Sequence, residues 1–126
     1  MSTITNYKNE IVRASTVLTT SYVAGTVIEN VQSFDRMYLN AAFTKGSLTS
    51  AEIKVEFSWD GKTYFQETSS SVTSGVSTET LKEHKLIDEG NYIISIPFAA
   101  RYIKISAKGT GTVTSSKLTI NVTLNS

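Results

Sequence analysis

Three stretches of this chain alternate apolar and polar residues so regularly that they constrain the fold before anything else does. In 51–59, Ile53, Val55, Phe57 and Trp59 fall on one face, with Glu52, Lys54, Glu56 and Ser58 on the other. In 101–108, Ile103, Ile105 and Ala107 oppose Tyr102, Lys104, Ser106 and Lys108. In 117–125, Leu118, Ile120, Val122 and Leu124 oppose Thr119, Asn121, Thr123 and Asn125. A period of two with one apolar face describes a sheet that covers a core on one side and meets water on the other. Such a sheet must find a second apolar layer.

Weaker strand signals at 11–19, 22–31, 36–44, 62–68 and 91–97 bring the expectation to about eight strands. Gly, Asn, Asp and Ser separate them, and no convincing helix intervenes. The expected architecture is an all-β, antiparallel sandwich of jelly-roll kind. One domain spans 13–126, and an N-terminal arm, 1–12, precedes it, since Ser2 to Val12 shows little alternation. In Gln66–Thr80 nine of fifteen residues are Ser or Thr, with Val72 and Val76 as weak anchors. That stretch reads as a surface loop ahead of its rival, a polar edge strand. The piece from Leu81 to Asp88 has room for one helical turn.

Asp60-Gly61 is the strongest turn signal, and it allows two registers. A two-residue turn pairs Trp59 with Lys62 and Phe57 with Tyr64. A three-residue loop with Gly61 left-handed pairs Ser58 with Lys62 and Val55 with Phe65. The second keeps Lys62 off the buried face and places Trp59 on the turn, exposed for contact.

Composition narrows the chemistry. Val, Ile and Thr fill 39 of 126 positions, a β-branched surplus that favours pleated strands. There is no Cys, which excludes a disulfide scaffold, a thiolate zinc site and a Cys nucleophile. Twelve Lys and Arg against eleven Asp and Glu leave no basic excess for a nucleic acid or an anionic membrane, so neither partner is expected. No cofactor is expected either. The single histidine, His84, lies among Lys82, Glu83 and Lys85 and reads as a solvated position. Glu52 and Glu56 flank Lys54 and read as a charge-mixed solvent face, without the enclosure of a glycosidase pair. Asp88-Glu89-Gly90-Asn91 reads as a polar turn, lacking the alternating ligands of a calcium loop. Gly109-Thr-Gly-Thr lacks the Lys and helix of a phosphate cradle and reads as the link between the last two strands.

Most aromatics of such a chain fill its core. Tyr102 is different, because Lys104 and Ser106 share its face and Arg101 precedes it. The expected contact residues are Tyr7, Trp59, Arg101 and Tyr102, placed at a protein interface or under a sugar ring.

Two stretches carry a resemblance. Phe57-Ser-Trp-Asp-Gly-Lys-Thr-Tyr64 resembles the Ser-x-Asp-Gly-x-x-aromatic hairpin of discoidin-like, galactose-binding-type β-sandwiches, and Pro97-Phe-Ala-Ala-Arg-Tyr-Ile-Lys-Ile105 resembles their Ala-Arg-Tyr strand. With the hydrophobic strand that follows, the resemblance covers about a quarter of the chain and implies a fold more than a ligand. In overall style the chain is also similar to small virion proteins of tailed bacteriophages, often Cys-free, Ser/Thr-rich and without a signal peptide. That resemblance implies a non-enzymatic auxiliary or decoration protein, made in the host cytoplasm and residing in the virion. Its partners would be other virion proteins, the major capsid protein first, or further copies of itself. The rival expectation is a carbohydrate-binding module, tail- or fibre-associated. The N-terminus, Met1-Ser-Thr-Ile-Thr-Asn-Tyr-Lys, lacks the basic start and apolar run of a secretory signal, which suits the first expectation.

Overall fold

A computed structural model of the chain describes residues 7–126. It contains twelve strands: β1 (Tyr7–Thr16), β2 (Val23–Ala24), β3 (Ile28–Glu29), β4 (Arg36–Thr44), β5 (Leu48–Ser58), β6 (Phe65–Gln66), β7 (Thr68–Thr73), β8 (Val76–Leu81), β9 (His84–Leu86), β10 (Gly90–Pro97), β11 (Tyr102–Gly111) and β12 (Lys117–Asn125). All pairings are antiparallel. One sheet runs β1-β12-β4-β10. The other is built on β11 and β5, with β2 and β3 along the free side of β11 and β6 and β9 along the free side of β5.

Taken as one interrupted strand each, β2–β3 and β6–β9 reduce the sandwich to eight strands, with the β7–β8 ribbon set apart. Numbered in that way, the two sheets read 1-8-3-6 and 2-7-4-5, the strand order of a jelly roll. The expected fold class is therefore the observed one.

The alternation does the work assigned to it. Ile53 and Val55 of β5, Ile103 and Ile105 of β11, Met37 and Leu39 of β4, and Leu118, Ile120, Val122 and Leu124 of β12 are all buried between the sheets. Each such side chain contributes about 1.5–3 kcal/mol by leaving water. Phe57 and Phe98 stack with centroids 5.8 Å apart where β10 crosses to β11.

Several expectations are corrected. Tyr7 to Val12 belong to the edge strand β1, paired with β12, so the arm boundary at residue 12 falls inside a strand; residues 1–6 lie outside the described ones. The Ser/Thr-rich stretch is no loop. It folds as the β7–β8 hairpin, closed by Ser74 and Gly75, both at positive φ (52° and 79°), the signature of a type I′ turn. Leu81–Asp88 holds the strand β9 and no helical turn. Gly109 to Gly111 still belong to β11, and the link to β12 comes after them.

Candidate functional site

The loop from β5 to β6 is built around Asp60. Its Oδ1 accepts from the backbone N–H of Lys62 (2.8 Å) and Thr63 (2.9 Å) and from the Ser58 hydroxyl (3.0 Å). Ser58 Oγ in turn accepts from Gly61 N–H at 2.9 Å. The observed register pairs Phe57 with Phe65 and Glu56 with Gln66, which is neither of the two expected ones. An Asp whose carboxylate collects three donors sustains a wider loop than a two- or three-residue hairpin needs. Gly61 is left-handed as expected, and its Cα side lies against the Tyr102 ring.

These hydrogen bonds, from Thr63, Lys62 and Ser58 in that order, hold the Asp60 carboxyl below its ordinary range. A folded-state value below the unfolded one gives stability that is present above the unfolded pKa and lost as pH falls through the folded one. An NMR titration followed at the Lys62 and Thr63 amides should therefore show a midpoint below 3.8, the ordinary Asp value. A midpoint at or above that value would mean the carboxylate does not hold the loop.

The loop fixes Trp59 with 62% of its surface exposed. Tyr102 lies beside it, opposite Ser58 in the β5–β11 ladder, and the Arg101 guanidinium stands 5.7 Å from the Tyr102 ring centre. Three of the four expected contact residues thus meet at one corner of the sandwich. Tyr7, 69% exposed, is on the outer face of the other sheet, opposite Asn125, and does not join them.

Further along the outer face of the β5–β11 sheet, cations and tyrosines alternate. Lys104 lies 4.1 Å from the Tyr64 ring centre, and Lys54 and Lys108 bracket Tyr22 at 4.7 and 4.9 Å. Burial, then a hydrogen bond to the Glu83 carboxylate, pushes the Tyr22 phenol above its ordinary pKa. Glu52, expected in solvent, is only 5% exposed and accepts from the Ser50 and Thr110 hydroxyls. Its ladder partners are Lys108 on β11 and Lys85 on β9, and the Tyr22 bracket closes over it from the Lys108 side. Lys54 pairs with Glu56 at 3.7 Å. His84 is not a solvated position either: opposite Ile53 on the core side of β9, it meets Glu67 at 2.8 Å. Alternation around His84 is hidden by charged neighbours, which is why its inward register was missed.

The outer face of the four-stranded sheet contrasts with this one. One row across it reads Ile11–Asn121–Asn40–Ile93, the next Asn9–Thr123–Tyr38–Ser95. Ile11 and Ile93, on the two edge strands, are 67% and 68% exposed. Shallow grooves of about 260 and 550 Å³ lie beside Ile93 and Ile11, sharing Asn40 and Asn121 as their floor. The only charges among these aligned outward positions are Arg36 and Lys117.

Among the described residues no cluster of acidic, His or Cys side chains could hold a metal ion. No protein-family model and no curated protein sequence matches the chain.

Proposed function

We propose that the chain is a non-enzymatic structural protein that acts by docking, an auxiliary or decoration protein binding neighbouring subunits of a phage particle. The observation that carries the docking part is the Trp59–Arg101–Tyr102 corner. Trp, Tyr and Arg are the residue types in which binding energy concentrates at protein interfaces. Here Trp59 stands exposed on a loop braced by Asp60, and exposed Arg101 and half-buried Tyr102 are held at the start of β11, so little backbone freedom remains to be lost on binding. The phage setting rests on the overall style of the sequence.

The same corner is where a sugar would stack, so a carbohydrate ligand is the rival that the experiment must separate.

Trp59→Ala with Arg101→Ala should lower occupancy on particles by about tenfold or more while the isolated protein melts as before, since both side chains are exposed and contribute little to the fold. Unchanged occupancy would remove the corner from the interface. Saturable binding to a glycan array, lost in the same variant, would replace the proposal by the carbohydrate reading.

A further inference from the structure

The β7–β8 ribbon is an insertion into a strand. β6 runs along β5 with Gln66 opposite Glu56, and the Glu67 N–H bonds to Val55 O at 3.1 Å. After the ribbon, β9 resumes on the same side of β5 with His84 opposite Ile53. Continuing the β9 register by one residue sets Glu83 opposite Lys54, next to the place of Glu67. Removing Thr68–Lys82 would therefore join Glu67 to Glu83 in register and leave one continuous edge strand. The Lys82 N–H bonds to Glu67 O at 2.8 Å, and the Glu67–His84 contact spans the gap.

Every residue of the ribbon is exposed on both faces. A two-stranded hairpin in water is marginal by itself, and both outer edges of this one are unpaired. Within Thr68–Leu81 the only charged side chain is Glu79. The register places Val72, Glu79 and Leu81 on one face, and Glu79 accepts from the Thr68, Ser70 and Ser77 hydroxyls of that face. Val72 and Leu81 are four ladder positions apart, about 14 Å corner to corner at ~3.3 Å per residue. Glu79 lies midway.

We propose that this ribbon is an arm that seats across the outer face of the four-stranded sheet of a second copy of the chain. Ile11 and Ile93 stand three strand spacings apart, also about 14 Å at ~4.8 Å per strand. A ribbon lying at right angles to the strands brings Val72 and Leu81 to those two isoleucines. Glu79 then falls over the Asn40 and Asn121 amides. The match at Glu79 is made by the two amides, since Glu10 beside the seat is paired with Lys8 at 3.3 Å and the aligned charges, Arg36 and Lys117, stand four strand positions to either side. Arm and seat are different surfaces, so the contact is head-to-tail and each copy can give one arm and accept one. The ribbon face is only about 20 Å by 10 Å, far below the ~800 Å² per partner of a standard interface, so a single contact is weak and chains or rings gain from repetition. The inference concerns the purified chain and stands or falls independently of particle binding.

The chain has no Cys, which makes disulfide trapping clean. Ser70→Cys, beside Glu79, and Asn121→Cys, at the centre of the seat, mark the two midpoints whichever way the arm runs. Under mild oxidation, the mixture of the two variants should give cross-linked dimers well above the yield of either alone. Sedimentation of the wild-type chain should show self-association as concentration approaches about 1 mM. It should weaken about tenfold or more in Ile11→Ser with Ile93→Ser and in Val72→Ser with Leu81→Ser, and vanish on deletion of Thr68–Lys82. A wild-type chain monomeric at that concentration would overturn the proposal. So would Ser70→Cys alone cross-linking as well as the mixture, which would mean arm against arm, or Asn121→Cys alone doing so, which would mean face against face.

Discussion

Leu39→Ala should destabilise the protein by about 3 kcal/mol, within the ~2–5 kcal/mol range for buried Leu truncations, whereas Ile93→Ala should stay within about 0.5 kcal/mol of wild type. Leu39 is fully buried on β4, with Val122 and Ile94 as its ladder partners on either side. Its removal leaves a cavity between two well-paired strands that cannot close without moving both sheets. Ile93 is on the next strand and adjoins the same ladder, but its side chain faces out. For a chain of this size, the Leu39 loss corresponds to a fall in Tm of about 10–15 °C, readable by calorimetry. Equal losses at the two positions would mean that the four-stranded sheet is covered on both sides in the isolated protein, against the exposure of its outer face.

The central strands were legible because polar and apolar residues alternate along them. In β12 that period and burial coincide residue by residue, in β5 and β11 the outward Glu52, Ser58 and Ser106 are buried as well, and the jelly-roll order follows once edge fragments are merged. Edges were legible only in part. β2–β3 and β6–β9 are short, interrupted pieces, held as much by backbone hydrogen bonds such as Gly25 N–H to Ile105 O as by side chains. The β7–β8 ribbon buries nothing, so hydrophobic pattern is silent there; its one local sign was Ser74-Gly75, a dipeptide suited to two successive positive φ angles. Of the candidate site, Tyr102 and the adjoining Arg101 were found from polar surroundings, and Trp59 from its place at the Asp60-Gly61 turn. Their convergence depended on the Ser58–Tyr102 pairing, and the Asp60 loop that braces Trp59 took a register no hairpin rule selected. The burial of Glu52 required knowing that Tyr22, thirty positions away, folds over it.

Gly25→Ala should cost about 2–3 kcal/mol or more, toward the upper end for overpacking a well-filled site. Gly25 lies between β2 and β3, where the two sheets come together along one side. Its N–H bonds to Ile105 O in the six-stranded sheet at 2.9 Å, and the next N–H, of Thr26, bonds to Val12 O in the other sheet at 2.9 Å. A Cβ on residue 25 would lie 2.4 Å from Val12 O and 2.7 Å from Val12 Cγ1. Val12 could rotate its methyl away, but its carbonyl oxygen is backbone and moves only with β1. The clash therefore acts on the hydrogen bond that ties one sheet to the other, and amide exchange at Thr26 should accelerate more than exchange in β11. Gly75→Ala is the control. It meets nothing within 4 Å and suffers only the left-handed penalty of its turn, about 1 kcal/mol, confined to a ribbon that the sandwich does not need. A Gly25 variant no less stable than the Gly75 one would mean that β1 yields freely at Val12 and that the sheets are held together by their buried faces alone.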